Sequence, residues 1–260
     1  MTEARKLPVL SLKGGTGKTT ICLGLAEALR DAGRRVGLLD VDIHASALPR
    51  AIGLQRDPGY EPRRGGMMYP IDHDGYQVFS IGLLYPEEDP NMWPGPAKAS
   101  AVKQLATTSV AWQEDLDWIV VDTPPTSGDE IKSLLENLPG IYGCVIVCQP
   151  NDLAVLAIAK MLDVLMATET PIAGILANMA GYRCPHCGRV SNPFDRETED
   201  VRAIAERFGV TYLGAVPFAS NEIRRPALRG ILDSILGIRP ITLHRPKGGV
   251  TRWALEKLLR

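Results

Sequence analysis

The sequence has no apolar run long enough to cross a bilayer and no recognisable leader segment. Its longest run, Ile141–Cys148, is interrupted by Gly143, whereas a membrane-spanning helix needs about 20 apolar residues. The first residues, Met1–Lys6, are polar, which is not the pattern of a signal peptide. We therefore expect a cytoplasmic protein with no membrane-spanning segment.

The sequence also lacks a charge excess, since 29 Lys and Arg residues face 30 Asp and Glu residues, a net charge of −1 at pH 7. Such a balance is not typical of surfaces built for nucleic acids or membranes, so neither is an expected partner. No internal repeat or low-complexity linker is present. With 45% hydrophobic residues, the chain can bury a large core, and we predict a single domain over residues 1–260.

A glycine-rich loop at Ser11–Thr20 (SLKGGTGKTT) follows an apolar run and precedes a helical pattern. Strand, glycine loop and helix in this order are the context of a phosphate-binding loop. Glycines let backbone N–H groups approach phosphate oxygens, and the helix dipole adds positive potential there. The sequence therefore predicts a nucleotide site formed by Lys13, Gly14, Gly15, Thr16, Gly17, Lys18, Thr19 and Thr20.

Two lysines and a threonine give this loop its chemistry. We expect Lys18 to bind the β- and γ-phosphates and the Thr19 hydroxyl to bind Mg²⁺. Leu12 stands where the standard loop has a glycine. A lysine just before the Gly-Gly pair, here Lys13, resembles the pattern of the deviant P-loop ATPases, in which the outer glycine varies and the additional lysine is functional.

Two predicted strands end in carboxylates, as a site for Mg²⁺ and a nucleotide requires. Asp40 and Asp42 follow the strand predicted over Arg35–Leu39, and Asp122 follows the strand predicted over Leu116–Val121. Ligands of open parallel sheets bind at the carboxyl ends of strands. These three aspartates are therefore candidate Mg²⁺ residues, and the pair Asp40 and Asp42 could also orient the attacking water. Capping of the next helix is the alternative role for the first two.

The chain contains one Cys-x-x-Cys pair, Cys184 and Cys187, and no second pair. Two thiolates at this spacing can bind one metal, but they form only half of a tetrahedral site. A symmetric dimer would supply the other half, around a shared Zn²⁺ ion or iron–sulfur cluster. A dithiol redox pair and an inert surface loop are the alternatives. We interpret His186 as a spacer and the remaining cysteines as core residues: Cys22, Cys144 and Cys148.

Apolar runs alternate with helical patterns and predict an α/β fold with a central, mostly parallel sheet between helices. The segment Gln55–Asp74 is predicted as loop, Pro171–Met179 as a strand, and Ile223–Leu236 as one or two short helical pieces. An amphipathic C-terminal helix is predicted at about residues 249–260. We expect this helix to pack on the body or on a partner subunit rather than on a membrane.

Several blocks in the same order resemble the Mrp/ApbC branch of the deviant P-loop ATPases, the iron–sulfur cluster carrier proteins. The resemblance extends from about Leu7 to Pro240, nearly the whole chain. It rests on residues 13–20, 38–44 with 48–50, 80–82, 93 with 95–96, 117–129, 178–179 with 184–187, and 213–217.

This resemblance implies a three-layer P-loop NTPase fold and a homodimer that binds ATP face to face. It implies that Lys13 reaches the partner's phosphates, that Lys18 holds those of its own subunit, and that Asp42 positions the water. Asn178 and the segment around Pro217 would contact the adenine. One labile 4Fe–4S cluster would be bridged by cysteines of both subunits, Cys184 and Cys187, and passed to apo-proteins. Hydrolysis is expected to be slow and to act as a conformational switch.

The sequence departs from the family pattern mainly near the expected switch segments. Ala45–Ala47 replaces Gly-Pro-Ser, and Thr126-Ser127 replaces a Gly-Thr pair. These departures concern hydrolysis and its coupling to cluster transfer more than nucleotide binding. Two alternatives stay open: a positioning ATPase of the MinD/ParA kind, which would leave the Cys-x-x-Cys pair without a role, and the same ATPase with a structural zinc at the dimer interface.

Overall fold

The computed structural model describes residues 3–43, 46–55, 63–83, 102–107, 110–113, 115–151, 153–184, 186–191 and 198–244. The C-terminal helix predicted at about residues 249–260 lies outside these ranges. Within them, no helix combines the length and the apolar character needed to cross a bilayer.

Strands and helices alternate along the chain, as expected for an α/β protein. The described strands are β1 (Arg5–Leu10), β2 (Val36–Asp40), β3 (Arg63–Arg64), β4 (Met67–Met68), β5 (Ile71–His73), β6 (Tyr76–Ser80), β7 (Trp118–Asp122), β8 (Cys144–Cys148), β9 (Ile172–Arg183), β10 (Val190–Ser191) and β11 (Tyr212–Phe218). The described helices are α1 (Lys18–Asp31), α2 (Leu48–Ala51), α3 (Asp129–Asn137), α4 (Ala154–Ala167), α5 (Thr198–Phe208) and α6 (Asn221–Gly237). A helical segment also covers residues 102–106.

Nine of the described strands form one sheet, with the order β10-β9-β8-β1-β7-β2-β6-β5 and with β11 also paired to β9. The pairs from β9 through β6 and between β9 and β11 are parallel, whereas β5 and β10 are antiparallel to their neighbours. The register places Asp40 at the end of β2 directly beside Asp122 at the end of β7. Val9 of β1 lies on the other side of Asp122. The carboxyl ends of these three strands therefore meet at one point of the sheet edge.

Helices cover both faces of the sheet. Helices α1 and α6 pack on one face through residues such as Leu25 and Ile231, and α3, α4 and α5 pack on the other. In β8, Val145 belongs to the first core cluster and Ile146 to the second. A strand buried on both faces is apolar at every position, which explains the continuous apolar run in β8. The three-layer arrangement predicted from the sequence is confirmed.

Two predictions of local structure need correction, the first in kind and the second only in the length of the helix. The segment Gln55–Asp74, predicted as loop, contains β3, β4 and β5. Strand β5 forms because Asp74 and Gly75, with φ angles of 47° and 79°, turn the chain back so that it pairs with β6. Ile223–Leu236, predicted as one or two short pieces, lies within the single helix α6. Helix α6 continues through Pro226 because its buried side chains pack against α1 and the sheet: Leu228, Ile231, Leu232 and Ile235.

The strand predicted over Pro171–Met179 is longer than expected. Its observed counterpart, β9, continues to Arg183 and there pairs with β10. The apolar run ends near Met179, so hydrophobicity alone gave the shorter strand. The additional residues pair with strands on both sides, since Tyr182 lies opposite Ser191 of β10 and Phe218 of β11. We call residues 182–191 the cysteine hairpin.

Candidate functional site

The glycine loop connects β1 to α1 at the carboxyl edge of the sheet. Gly15 and Gly17 have φ angles of 78° and 79°, in the left-handed region that favours glycine. Gly17 is the N-terminal cap of α1, so the loop leads directly to the positive end of the helix dipole. Of the predicted loop residues, Thr16 and Lys18 are buried, Gly17, Thr19 and Thr20 are half-buried, and Lys13, Gly14 and Gly15 are exposed. This is the geometry of an anion-binding loop.

Lys18 is buried and lies near two carboxylates. Its Nζ donates a hydrogen bond to Oδ1 of Asp122 at 2.7 Å and lies 3.8 Å from Oδ2 of Asp42. Burial lowers the pKa of Lys18, but the neighbouring charges, chiefly that of Asp122, outweigh burial and raise the pKa overall. Lys18 therefore stays protonated, as a phosphate-binding lysine must.

Asp122 joins Lys18 to Thr19. The Thr19 hydroxyl donates to Oδ2 of Asp122 at 2.5 Å, while Lys18 bonds Oδ1. Hydroxyl and carboxylate oxygens are the ligands that Mg²⁺ prefers. Since Asp42 also lies beside Lys18, the chain brings together a donor set that fits Mg²⁺ next to an anion-binding loop.

Asp40 is completely buried and accepts three hydrogen bonds from protein groups. The hydroxyls of Ser46 and Ser80 donate to its Oδ2 at 2.6 and 2.8 Å, and the backbone N–H of Asp42 donates to its Oδ1 at 2.9 Å. Burial, followed by the charge of Asp122, raises the pKa of Asp40 to about 7. The network fixes the start of the segment that carries Asp42.

Asn178 lies beneath the glycine loop. Its side chain is buried, and its Nδ2 donates to the backbone carbonyl of Thr16 at 2.7 Å. A Cβ atom at Gly17 would meet this Nδ2 at 2.3 Å, so only glycine fits above Asn178. Val216 pairs with Asn178, which places Pro217 at the same edge of the sheet. The structure thus places Asn178 against the loop, and Pro217 follows the residue that pairs with Asn178.

The sequence analysis missed three residues of this site: Ser46, Ser80 and Gln149. Gln149 follows β8, and its Nε2 donates to the carbonyl of Gly15 at 3.3 Å and to Sδ of Met179 at 2.8 Å. Its place directly after a buried parallel strand was the available signal, because such positions lie at the ligand-binding edge. The same signal applies to Ser80, the last residue of β6.

Cys184 and Cys187 lie in the turn of the cysteine hairpin. The backbone N–H of Cys184 donates to the carbonyl of Arg189 at 2.9 Å, and the N–H of Gly188 donates to the carbonyl of Cys184 at 2.9 Å. Cys184 is half-buried and Cys187 is exposed. Hydrogen bonds from the backbone of Cys187 and His186 and from the Cys187 thiol lower the pKa of Cys184. An accessible pair of thiols that includes a readily ionised Cys184 is suited to binding a soft metal.

The other three cysteines are buried, as predicted for core residues. Burial raises the pKa of Cys22 and of Cys144 well above the ordinary range, and that of Cys148 to about 12. Within the described part of the chain, no group of three or more His, Cys, Asp or Glu side chains could hold a metal ion. In these ranges, the hairpin therefore offers two thiolates and no further ligand.

Three features together define a P-loop NTPase: the mostly parallel sheet between two layers of helices, the glycine loop, and the carboxylates beside Lys18. The chain belongs to one family of this class, the NUBPL iron-transfer P-loop NTPases within the ParA group, whose sequence model matches residues 3–230.

Relatives of known name agree with this assignment. An iron-sulfur cluster carrier protein from Methanocaldococcus jannaschii is 37% identical over 215 residues, covering 82% of this chain and 72% of that protein. The cytosolic Fe-S cluster assembly factor NUBP2 of Homo sapiens is 38% identical over 213 residues, covering 80% of this chain and 77% of that protein. The sequence resemblance to iron–sulfur cluster carriers is confirmed.

Solved structures agree on the fold. A nucleotide-binding protein from Archaeoglobus fulgidus in complex with ADP has a TM-score of 0.70 at 26% identity, covering 93% of this chain and 94% of that one. The cell division ATPase MinD of Pyrococcus furiosus has a TM-score of 0.60 at 20% identity, covering 90% and 99%. At that identity the likeness to MinD concerns the fold alone. The predicted P-loop NTPase fold is confirmed.

Proposed function

We propose that this protein is a slowly hydrolysing ATPase that carries a 4Fe–4S cluster on Cys184 and Cys187 and delivers it to apo-proteins. The observation that carries the proposal is the path of β9. This one strand contacts the glycine loop through Asn178 and continues directly into the cysteine hairpin. The relatives named as cluster carriers and assembly factors support the same cargo.

In this proposal, the residues around Lys18 bind and activate the triphosphate. Lys18 exchanges its bond to Asp122 for phosphate oxygens, and the loop N–H groups hold the β-phosphate. Thr19 and Asp122 would hold Mg²⁺, which would neutralise phosphate charge. Asp42 orients the attacking water, and Asp40, whose two oxygens already accept hydrogen bonds from protein groups, would be the least available of the three aspartates for Mg²⁺.

The base is read by Asn178. Its Nδ2 donates one hydrogen bond to the carbonyl of Thr16, and the same amide group has a second N–H and an acceptor, Oδ1. A donor beside an acceptor matches the edge of adenine, which carries a ring-nitrogen acceptor beside an exocyclic amino donor. The segment at Pro217 forms the neighbouring wall, and ATP is therefore the proposed substrate.

The active form in this proposal is a homodimer. Lys13 is exposed on the loop, where it is accessible to the phosphates of a second subunit. The cysteine hairpin supplies two thiolates per chain, whereas a 4Fe–4S cluster or a tetrahedral zinc takes four. A second copy of the chain completes the set by symmetry. The alternative is that the same four thiolates bind a structural zinc ion at the dimer interface, in which case the protein carries no cluster.

Anaerobic reconstitution with iron and sulfide tests the cargo. The wild-type dimer should gain a broad visible absorption band with about four irons and four sulfides per dimer. Cys184→Ala should bind none, whereas Cys148→Ala, which removes a buried thiol of the core, should bind as wild type does. A colourless protein with one zinc per dimer would favour the structural site. Cluster retention by Cys184→Ala would overturn the proposal.

A further inference from the structure

Strand β9 parts from β8 at a defined point between the glycine loop and the cysteines. Its last pair with β8 is Ala177 with Cys148, and the next residue, Asn178, bonds the carbonyl of Thr16. Beyond Asn178, β9 runs on without β8 until it pairs with β10 at Tyr182. The residues that touch the loop and those that carry the thiols therefore lie on one short stretch of backbone.

A bend interrupts this stretch. Met179 has φ 56° and Gly181 has φ 81°, so two left-handed residues flank Ala180. Residues 178 and 182 of β9 pair with residues 216 and 218 of β11, so β9 contains two additional residues here. A left-handed conformation is costly for methionine and persists only where neighbouring contacts impose it. The direction of the cysteine hairpin thus depends on what holds Met179.

Gln149 holds Met179 and also holds the glycine loop. A glutamine amide has two N–H bonds, and here one donates to the carbonyl of Gly15 and the other to Sδ of Met179. Asn178 makes the second contact, to Thr16. The carbonyl of Gly15 is thus connected through Gln149 to Met179, and the carbonyl of Thr16 is bonded directly to Asn178, the residue before Met179.

Phosphate binding acts on these carbonyls through the peptide planes. The loop N–H groups turn toward phosphate oxygens, and each peptide plane is rigid, so a reoriented N–H reorients the carbonyl of the preceding residue. The carbonyls of Gly15 and Thr16 belong to the peptides whose N–H groups are those of Thr16 and Gly17. A nucleotide therefore changes the acceptors that Gln149 and Asn178 bind.

We propose that Gln149 is a positioning residue that transmits nucleotide occupancy from the glycine loop through the bend at Met179 to the cysteine hairpin. The inference rests on the proposed function, because it assigns to the nucleotide the control of the two thiols that hold the cargo. With phosphate bound, the two carbonyls are fixed, the bend is fixed, and Cys184 and Cys187 are held in one arrangement. Without it, the hairpin samples several arrangements.

The reactivity of the hairpin thiols with an aromatic disulfide reagent measures this coupling without any cluster. Cys22, Cys144 and Cys148 are buried, so the fast-reacting thiols of the folded protein are Cys184 and Cys187. Saturating ADP should slow their reaction about fivefold in wild type. Calorimetry on each variant establishes the ADP concentration that saturates it.

The informative variant is Gln149→Glu, which keeps the size of the side chain but replaces both donating N–H bonds with an acceptor. Its thiols should react at the same rate with and without ADP. Met179→Leu keeps the volume but removes the sulfur acceptor, and it should lose the ADP effect in the same way. Gln104→Glu, on an exposed surface of the helical segment 102–106, should retain it.

A fivefold ADP effect that survives in either Gln149→Glu or Met179→Leu would overturn the inference, as would its absence from wild type or its loss from Gln104→Glu. Loss of the effect in both variants, with retention in Gln104→Glu, would support it. The outcome is separable from that of reconstitution, because thiol reactivity requires no metal. A protein that binds no cluster but shows the coupling would contradict the proposed cargo and leave the transmission intact.

Discussion

The Nζ atom of Lys18 lies 2.7 Å from Oδ1 of Asp122, a residue 104 positions further along the chain. This bond joins the first turn of α1 to the end of β7 in the interior, and the Thr19 hydroxyl bonds the second oxygen of the same carboxylate. An incoming phosphate competes with Asp122 for Lys18. Nucleotide binding therefore alters the loop and the β7 end together, which gives the site its first testable consequence.

Asp122→Asn should destabilise the nucleotide-free protein and suppress turnover. Lys18 would lose its closer carboxylate and retain Asp42 at 3.8 Å, and removing one partner of a buried ion pair costs about 3 kcal/mol. Loss of the proposed Mg²⁺ carboxylate should lower turnover about 100-fold. Urea unfolding and phosphate release measure the two effects. The control is Asp115→Asn, at an exposed ion pair with Arg35, which should change stability by under about 1 kcal/mol. Equal effects of the two substitutions would contradict the assignment.

Three alanine substitutions in the glycine loop should lower the free energy of unfolding by different amounts, in the order Gly14, Gly15, Gly17 from least to most. Gly14 has no neighbour within 4 Å of an added Cβ and no left-handed φ, so Gly14→Ala should change stability by about 0.5 kcal/mol or less. Gly15→Ala should cost about 1 kcal/mol, since only its φ of 78° is unfavourable. Gly17→Ala combines that conformation with a Cβ 2.3 Å from Asn178, and should cost about 3 kcal/mol. Urea unfolding of the nucleotide-free variants checks the order, and a Gly14→Ala as destabilised as Gly17→Ala would disprove it.

The roles of Lys13 and Lys18 should be distinguishable: a single substitution tests Lys18, and dimers mixed from two variants test Lys13. Lys18→Ala should lose ATP affinity and turnover because Lys18 is buried in its own site. If Lys13 acts across the proposed dimer, Lys13→Ala and Asp42→Asn should each be inactive alone. In mixed dimers, one site regains an intact Asp42 together with Lys13 from the other subunit, so turnover should return to about a quarter of wild type after random pairing. Mixtures that stay inactive would place Lys13 in its own subunit's site.

Asp40 should make stability depend on pH in the protein without Mg²⁺ and nucleotide. Its pKa is raised from 3.8 to about 7, so between these values the folded state keeps a proton that the unfolded state has lost. The Asp40 contribution to the free energy of unfolding therefore falls as the pH rises through this window. Asp40→Asn removes this titration. The free energy of unfolding of the variant should therefore rise relative to that of wild type as the pH increases from 5 to 8. Urea unfolding at several pH values tests this, with the exposed Asp233→Asn as the control. A pH-independent difference between Asp40→Asn and wild type would refute it.

Much of the site is predictable because its signals are local. Lys18 and Thr19 belong to one short motif, and Asp40 and Asp122 each end an apolar strand. Parallel strands bring such ends to one edge, so the sequence predicts that the two aspartates lie close together. The register, with Asp40 directly beside Asp122, confirms this.

The remainder depends on contacts between distant segments, which no local pattern encodes. Ser46 stood out in the sequence only as part of a departure from the family pattern, yet its hydroxyl bonds Asp40 and lies 2.7 Å from that of Ser80. Gln149 is a single polar residue whose partners are a loop carbonyl and a sulfur. The extension of β9 was missed because polar residues near Tyr182 pair through their backbones, and hydrophobicity does not report backbone pairing.

The overhang of β9 beyond Ala177 also bears on how such a protein can change over generations. The overhang parts from β8 after their last pair and stays paired with β10 and β11, and its turn is accessible at Cys187. Insertions, deletions or new ligands in that exposed turn require no repacking of the buried layers. Natural selection can therefore modify the turn that carries the proposed cargo site and the nucleotide site at different rates, although one strand connects them.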